Sequence, residues 1–258
     1  MNQVKKSAIG AAFVLSLITA LFVSRSIASK KQDHPGGGNG FAVLELFTSE
    51  GCSSCPPADA LLARIQQEAG NKPIYILAYH VDYWNRLGWK DIFSNPQYSK
   101  RQYQYSEQLT GQVYTPQLVI NGKSSCIGSD ESAVNSGLSE ALSGATGLGL
   151  DIKGQLQPGK VKLNYQLTGD ARNTELLIAV VQKHAVSKVA RGENEGRTLS
   201  HVQIVRDLQT FRVGADRQGS VQITLPGDFT TQEWELIGMI QQPKTGVMEA
   251  ATRVVVSQ

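Results

Sequence analysis

Cys52 and Cys55 lie in the run FTSEGCSSCPPAD at 47–59, between an apolar stretch and a segment with helical spacing. A Cys-x-x-Cys at a strand-to-helix junction puts two thiols within reach of a small, reducible disulfide. The unpaired N–H groups of a helix start also favour thiolate over thiol. The chemistry this points to is thiol–disulfide exchange. Cys52, the N-terminal and more exposed thiol, is the nucleophile, and Cys55 resolves the mixed disulfide. Two other readings of the pair stay open. One is a structural disulfide; the other is a metal clip in which His80 joins two thiolates to suit copper or zinc. Pro56 and Pro57 are tolerated only in a first helical turn, which draws the helix start toward Cys55.

The elements that must position this pair can be read around it. Residues 41–47 form a near-continuous apolar strand, 58–68 a helix with Leu61, Leu62 and Ile65 on one face, and 73–79 a second apolar strand. Strand, helix and strand with this patterning make a βαβ unit on a covered parallel sheet. Asn95-Pro96 starts a helix running to about 109. Residues 117–120 form a strand, Asn121-Gly122 is a strong hairpin signal, 125–127 return, and Asp130 caps a last helix from 131 to about 142. Glu45 interrupts the first strand seven positions before Cys52. A desolvated carboxylate there has a raised pKa and can accept the Cys55 proton; a surface ion pair is the alternative.

Beyond the glycines at 144 and 147, the chain reads as about seven short strands: 147–153, 161–167, 175–184, 199–205, 220–225, 234–242 and 251–256. Strands at this spacing argue an antiparallel β-sandwich. Arg191, Glu193, Arg197 and His201 cluster around a glycine-bounded loop, read as an ion-pair network, an interdomain contact or a binding site.

The order of elements over 41–145 resembles a thioredoxin fold. More narrowly, FTSEGCSSCPPAD, His80-Val81-Asp82-Tyr83-Trp84 and Tyr114-Thr115-Pro116-Gln117 resemble domain-of-unknown-function family 1223, a family of exported bacterial proteins regarded as thioredoxin-like. A further echo is GENEGRTLSH at 192–201. The resemblance implies a cis-proline at Thr115-Pro116 beside the cysteine pair, exposing backbone groups to an extended substrate segment. Tyr114, Thr115, Pro116, Trp84 and Asp82 are then the expected substrate contacts. The expected fold is an α/β thioredoxin-like N-terminal domain at 41–145, followed by an antiparallel β-sandwich domain at 146–258. Cys126, on the returning hairpin strand, reads as a small buried hydrophobe or a third redox thiol.

The chain has 258 residues and a net charge of +3. Lys5 and Lys6 precede an uncharged apolar run of 16 residues at 8–23, followed by small residues ending at Ala28. This is the pattern of a secretory signal over 1–28, with an uncleaved membrane anchor as the alternative. Residues 29–40 read as a flexible linker. Removing the leader takes the net charge to zero, so nothing basic remains to attract nucleic acid, and a membrane is met only through the N-terminal segment. The expected protein is exported, periplasmic or extracellular. Its partners are protein or small-molecule thiols and disulfides, and nothing in its motifs calls for a cofactor or a metal. The alternatives are a copper-handling module on the same cysteines and a non-catalytic envelope binding protein.

Overall fold

The structure, a computed structural model, describes residues 40–257 except 110. The expected signal at 1–28 and all but the last residue of the linker at 29–40 lie outside the described residues.

The first half of the chain forms β1 (Ala42–Thr48), α1 (Pro56–Ala69), β2 (Ile74–His80), α2 (Pro96–Leu109), β3 (Gln117–Ile120), β4 (Ser124–Ile127) and α3 (Glu131–Ser143). Local chemistry sets these ends. Pro56 and Pro57 open α1, where a missing N–H costs nothing. The Asp130 side chain accepts the Ala133 N–H and caps α3. The turn between β3 and β4 needs positive φ at Asn121 and Gly122, and a Cβ on Gly122 would lie 2.0 Å from the Gly246 carbonyl oxygen.

The second half supplies β5 (Gly149–Gln157), β6 (Lys160–Thr168), β7 (Glu175–Lys188), β8 (Thr198–Arg212), β9 (Gln218–Thr224), β10 (Trp234–Gln241), β11 (Met248–Arg253) and β12 (Val255–Ser257). These strands do not build a separate antiparallel sandwich. One eight-stranded mixed sheet runs β11-β10-β7-β8-β2-β1-β3-β4, and a second sheet runs β12-β5-β6-β9. Strand β2 pairs in parallel with β1 along its whole length and with β8 at Ala78–Ile204. The expected pair of domains, thioredoxin-like and then β-sandwich, is therefore overturned: four strands from beyond residue 146 extend the sheet that β1–β4 begin.

Packing explains why the halves merge. All seven residues of β2 are buried, which is the pattern of a central strand with neighbours on both sides. On one sheet face, Val43, Phe47, Leu77 and Tyr79 share a core with Leu177, Ala179, Val205, Ile237 and Met239, under Tyr98 and Tyr105 of α2. On the opposite face, α1 and α3 cover Ala42, Leu44, Leu46 and Ile76. The four-stranded sheet covers Leu176, Ile178, Val180 and Leu236 on that same face. Splitting the sheet between β2 and β8 would expose the first of these cores on both sides of the break.

The β7–β8 ladder stays paired out to Lys188–Thr198, so it forms a long arm. Its tip, residues 189–197, is closed by bonds between Val189 and both Arg197 and Gly196, with Gly196 at φ +80°. This arm carries residues from late in the chain to the cysteine loop.

Among the described residues, no helix is long and apolar enough to cross a membrane.

Candidate active site

Cys52 and Cys55 form a disulfide with a Cα–Cα distance of 5.4 Å. Cys55 is the N-cap of α1 and has helical backbone angles, and the Asp59 N–H donates to its carbonyl at 3.2 Å. The disulfide thus lies at the C-terminal edge of β1 and the first turn of α1, where spacing alone places it. Both cysteines are 0% exposed. Cys52 is therefore not the more exposed thiol that its position suggests.

The tip of the β7–β8 arm covers the loop. Asn194, itself fully buried, donates from Nδ2 to the carbonyls of Glu50 at 2.9 Å and Cys52 at 3.0 Å. Its Oδ1 accepts from Arg197 at 2.7 Å, so the amide is saturated. Glu193 accepts the Ser53 N–H at 3.0 Å. Hydrogen bonding from Ser53 holds this exposed carboxyl below its usual range.

Trp84 closes the other side. A Cβ on Gly51 would lie 3.2 Å from the Trp84 Cβ, and the Trp84 indole N–H donates to Thr115 Oγ1 at 2.9 Å. The Thr115–Pro116 peptide bond is cis, and the Ser54 hydroxyl donates to the Thr115 carbonyl at 3.5 Å. The expected contacts Trp84, Thr115 and Pro116 thus converge on the cysteine loop. Tyr114 stands one step back, its carbonyl accepting from Gln102 and its hydroxyl meeting Ser125. Asp82 turns to α2, where both its N–H and its carboxylate bind Ser99.

Glu45 is placed elsewhere. It projects from β1 on the α2 face, beside Val43 and Phe47, whereas α1 covers the other face. Its carboxylate accepts from Arg101 Nε at 2.7 Å and from the Tyr105 hydroxyl, and Gln241 completes the network. Burial opposes the Arg101 charge, but Glu45 outweighs it and raises the Arg101 pKa. The partners of Glu45 are these α2 groups rather than the cysteines.

A second buried polar cluster adjoins the cysteine loop on the α1 face. His80 Nδ1 meets Asp91 Oδ2 at 2.7 Å. Asp91 also accepts the Glu50 and Phe93 N–H groups, each at 2.9 Å. Burial disfavours charge on both partners, yet their pairing wins: His80 is raised and Asp91 lowered. Trp89 donates to Glu50 Oε2 at 2.6 Å, and His201 Nε2 lies 3.6 Å from Glu50 Oε1. The rings of His80 and His201 stand edge to face, 4.9 Å apart. Asp59 accepts from Thr48 Oγ1 at 3.1 Å, and its burial raises its pKa against the opposing pull of His201 and His80. His80 is thus committed to Asp91 rather than turned to the sulfurs. Among the described residues, no group of three or more His, Cys, Asp or Glu side chains is disposed to hold a metal ion.

Sequence reasoning missed Asp59, Glu50, Asp91 and Asn194 as neighbours of the site. Asp59 and Glu50 sat inside the quoted motif, and Asn194 inside the second echo at 192–201. Cys126 is a free, half-buried thiol on the edge strand β4, paired with Leu118.

This architecture, two sheets flanked by three α-helices with a disulfide loop closed by a distant arm, defines a mostly β protein with its sulfur pair built into the fold. The chain belongs to the family described as "Protein of unknown function (DUF1223)", which matches residues 43–241. Protein AGR_C_4864 from Agrobacterium tumefaciens has a similar structure, with 25% identity and a TM-score of 0.63, over 83% of this chain and 93% of that one. A domain of the outer membrane lipoprotein Omp28 from Porphyromonas gingivalis matches at 8% identity and a TM-score of 0.27, over 43% of this chain and 89% of that one. So distant a likeness carries no argument here. No curated protein matches the chain.

Proposed function

We propose that this chain is a thiol–disulfide oxidoreductase acting through Cys52 and Cys55, on protein or small-molecule thiols and disulfides, outside the cytoplasm. The observation that carries this reading is the disulfide itself, which joins two cysteines three positions apart in the loop that enters α1, the second of them its N-cap. A thiolate of the substrate attacks Cys52 Sγ, the Sγ–Sγ bond breaks, and its electron pair leaves on Cys55. A second substrate thiolate then attacks the mixed disulfide, releasing Cys52; the substrate leaves oxidised and the pair reduced. The reverse sequence reduces a substrate disulfide. Trp84 and the cis Thr115–Pro116 segment border the loop where an incoming chain would lie. The basic, then apolar, N-terminal segment supports export, and with it a compartment where disulfides persist.

The test is reduction of insulin by a dithiol, catalysed by the wild type and by Cys52→Ser. Faster precipitation with the wild type only is the expected result. Equal rates for the two proteins would remove the reading.

Burial of both sulfurs favours a second reading, a structural staple in a non-catalytic envelope protein. That reading requires a very negative potential and a loss of stability on reduction. Rapid equilibration with glutathione counts against it.

A further inference from the structure

Breaking the disulfide places an electron pair on Cys55, a sulfur with no exposure to water. A thiolate in so dry a site is costly, and it is relieved by taking a proton. The chemistry therefore needs a proton donor on the α1 side of the pair, with its own path to solvent. Glu45 lies on the other face of the sheet.

Asp59 meets the requirement. Its N–H bonds the Cys55 carbonyl, so the two residues are i and i+4 on one helix face. Helical side chains lean toward the helix N-terminus, which carries the Asp59 carboxyl back over the turn of Cys55. Asp59 is 6% exposed, and Thr48 at the end of β1 holds one of its oxygens. The same residue also lines a solvent-open cavity of about 340 Å³ between α1 and the β8 side of the arm, next to its tip. Ser49, Pro56, Ala63, Arg197 and His201 share that lining.

The groups facing Asp59 suit proton exchange. His80 comes from β2, His201 from β8 and Asp91 from the segment before α2, while Glu50 of the cysteine loop adjoins the two histidines. Three buried atoms among them, His80 Nε2, His201 Nδ1 and Glu50 Oε1, have no hydrogen-bond partner. These are positions at which a proton can be held or passed. Arg197 lines the cavity on the solvent side. Burial keeps the Asp59 carboxyl protonated to higher pH than usual, so it retains a proton to give.

We propose that Asp59 is the acid–base residue of Cys55, exchanging its proton with solvent through the cavity it shares with His201. This rests on the exchange reading above and names the group that serves it. As the substrate thiolate bonds to Cys52 Sγ and the Sγ–Sγ bond breaks, Cys55 takes the electron pair and the Asp59 proton. The Asp59 carboxylate left behind is balanced by His80 and His201 and regains a proton from water in the cavity. In the reverse direction the carboxylate takes the Cys55 proton as that sulfur attacks the mixed disulfide, and the substrate thiolate departs.

The experiment uses the full chain with Cys52→Ser and Cys126→Ser, which leaves Cys55 as the one thiol of the chain, and follows thiolate absorbance in the ultraviolet against pH. Adding Asp59→Asn is expected to lower the Cys55 pKa by about one unit, because a neighbouring negative charge is gone. Asp59→Glu keeps the coupling. An unchanged Cys55 titration in a folded Asp59→Asn protein overturns the proposal. Should that variant not fold, infrared spectra of the protein with Cys52→Ser and Cys126→Ser, carrying ¹³C-aspartate, decide instead. The Asp59 carboxyl band is expected to respond as the thiol titrates, and a band indifferent to the thiol overturns the proposal. Neither readout needs turnover. A wild type inert toward insulin therefore removes the exchange reading, while the Asp59–Cys55 coupling is still measured.

Discussion

Asn194 hydrogen-bonds the backbone of the cysteine loop from 142 residues away, its Nδ2 donating to the Cys52 carbonyl at 3.0 Å. The same nitrogen also serves the Glu50 carbonyl. A side chain from the second half of the sequence is thus what closes the loop that carries the sulfurs. Replacing it by alanine removes the Asn194 donor from the Glu50 carbonyl and leaves the Cys52 carbonyl with the Cys55 N–H alone, at a cost of about 1–3 kcal/mol. Asn194→Ala should therefore melt earlier, and its reduced form should be alkylated at Cys52 about tenfold faster or more, as a 1.4 kcal/mol change in opening implies. Alkylation at the wild-type rate would show that the arm does not guard the sulfur.

Glu193 puts a carboxylate on the Ser53 N–H, one residue from Cys52. A negative charge there disfavours the Cys52 thiolate and so favours the oxidised pair. Glu193→Gln should lower the Cys52 pKa and make the pair easier to reduce, with a smaller effect at high salt because the site is exposed. Equilibration with a glutathione buffer measures it. A shift toward a harder-to-reduce pair contradicts the account.

The His80–Asp91 pair sets a pH dependence. His80 is raised above 6.5, so its stabilisation is full below that value and is lost as pH rises through the folded pKa. Asp91 is lowered below 3.8, so its contribution is present above 3.8 and is lost as pH falls through its folded value. Asp59, raised by burial, has a separate window: its contribution falls as pH rises from 3.8 through its folded value. Unfolding free energy should therefore decline as pH rises past about 6.5, and His80→Gln should flatten that decline. A slope unchanged in this variant would place its origin elsewhere.

Glu45 should matter for stability rather than for sulfur chemistry. Its removal strands the buried Arg101 charge, which costs about 3–5 kcal/mol. The exchange rate per folded molecule of Glu45→Leu should match the wild type. Glu45→Leu with Arg101→Met should recover much of the lost stability, since both charges then leave the core together. Denaturant unfolding of the two variants makes the comparison. A folded Glu45→Leu protein with impaired exchange would return Glu45 to the site.

Much of the local structure was legible in the residues. The apolar runs at 41–47 and 73–79, the prolines after Cys55, Asn121-Gly122 and Asp130 each point to the element that forms, because their causes lie within a few positions of one another. The misreading concerned partners. Strand β2 is apolar along its whole length, which says that it has two neighbours, but nothing in it says that Ile204 lies on the second. The alternation in β7 and β10 fits a sandwich and an extended sheet equally well, because a period of two records faces and not partners.

The same division runs through the site. The spacing of Cys52 and Cys55 by itself determined that they can pair, since three positions at a helix start bring two Cα atoms within disulfide reach. Their burial was decided only when the β7–β8 arm came across the loop and Asn194 took up the Glu50 and Cys52 carbonyls. The identity of the nearby acid was decided in the same way. Glu45 and Asp59 are both carboxylates close to the pair in sequence, but β1 turns one toward Arg101 and Tyr105 of α2, and α1 turns the other toward Thr48 and the cavity beside His201. Which face a side chain meets depends on what packs there, and that is settled by contacts between separate segments: Glu45 with Arg101 of α2, and the cysteine loop with Asn194 of the arm.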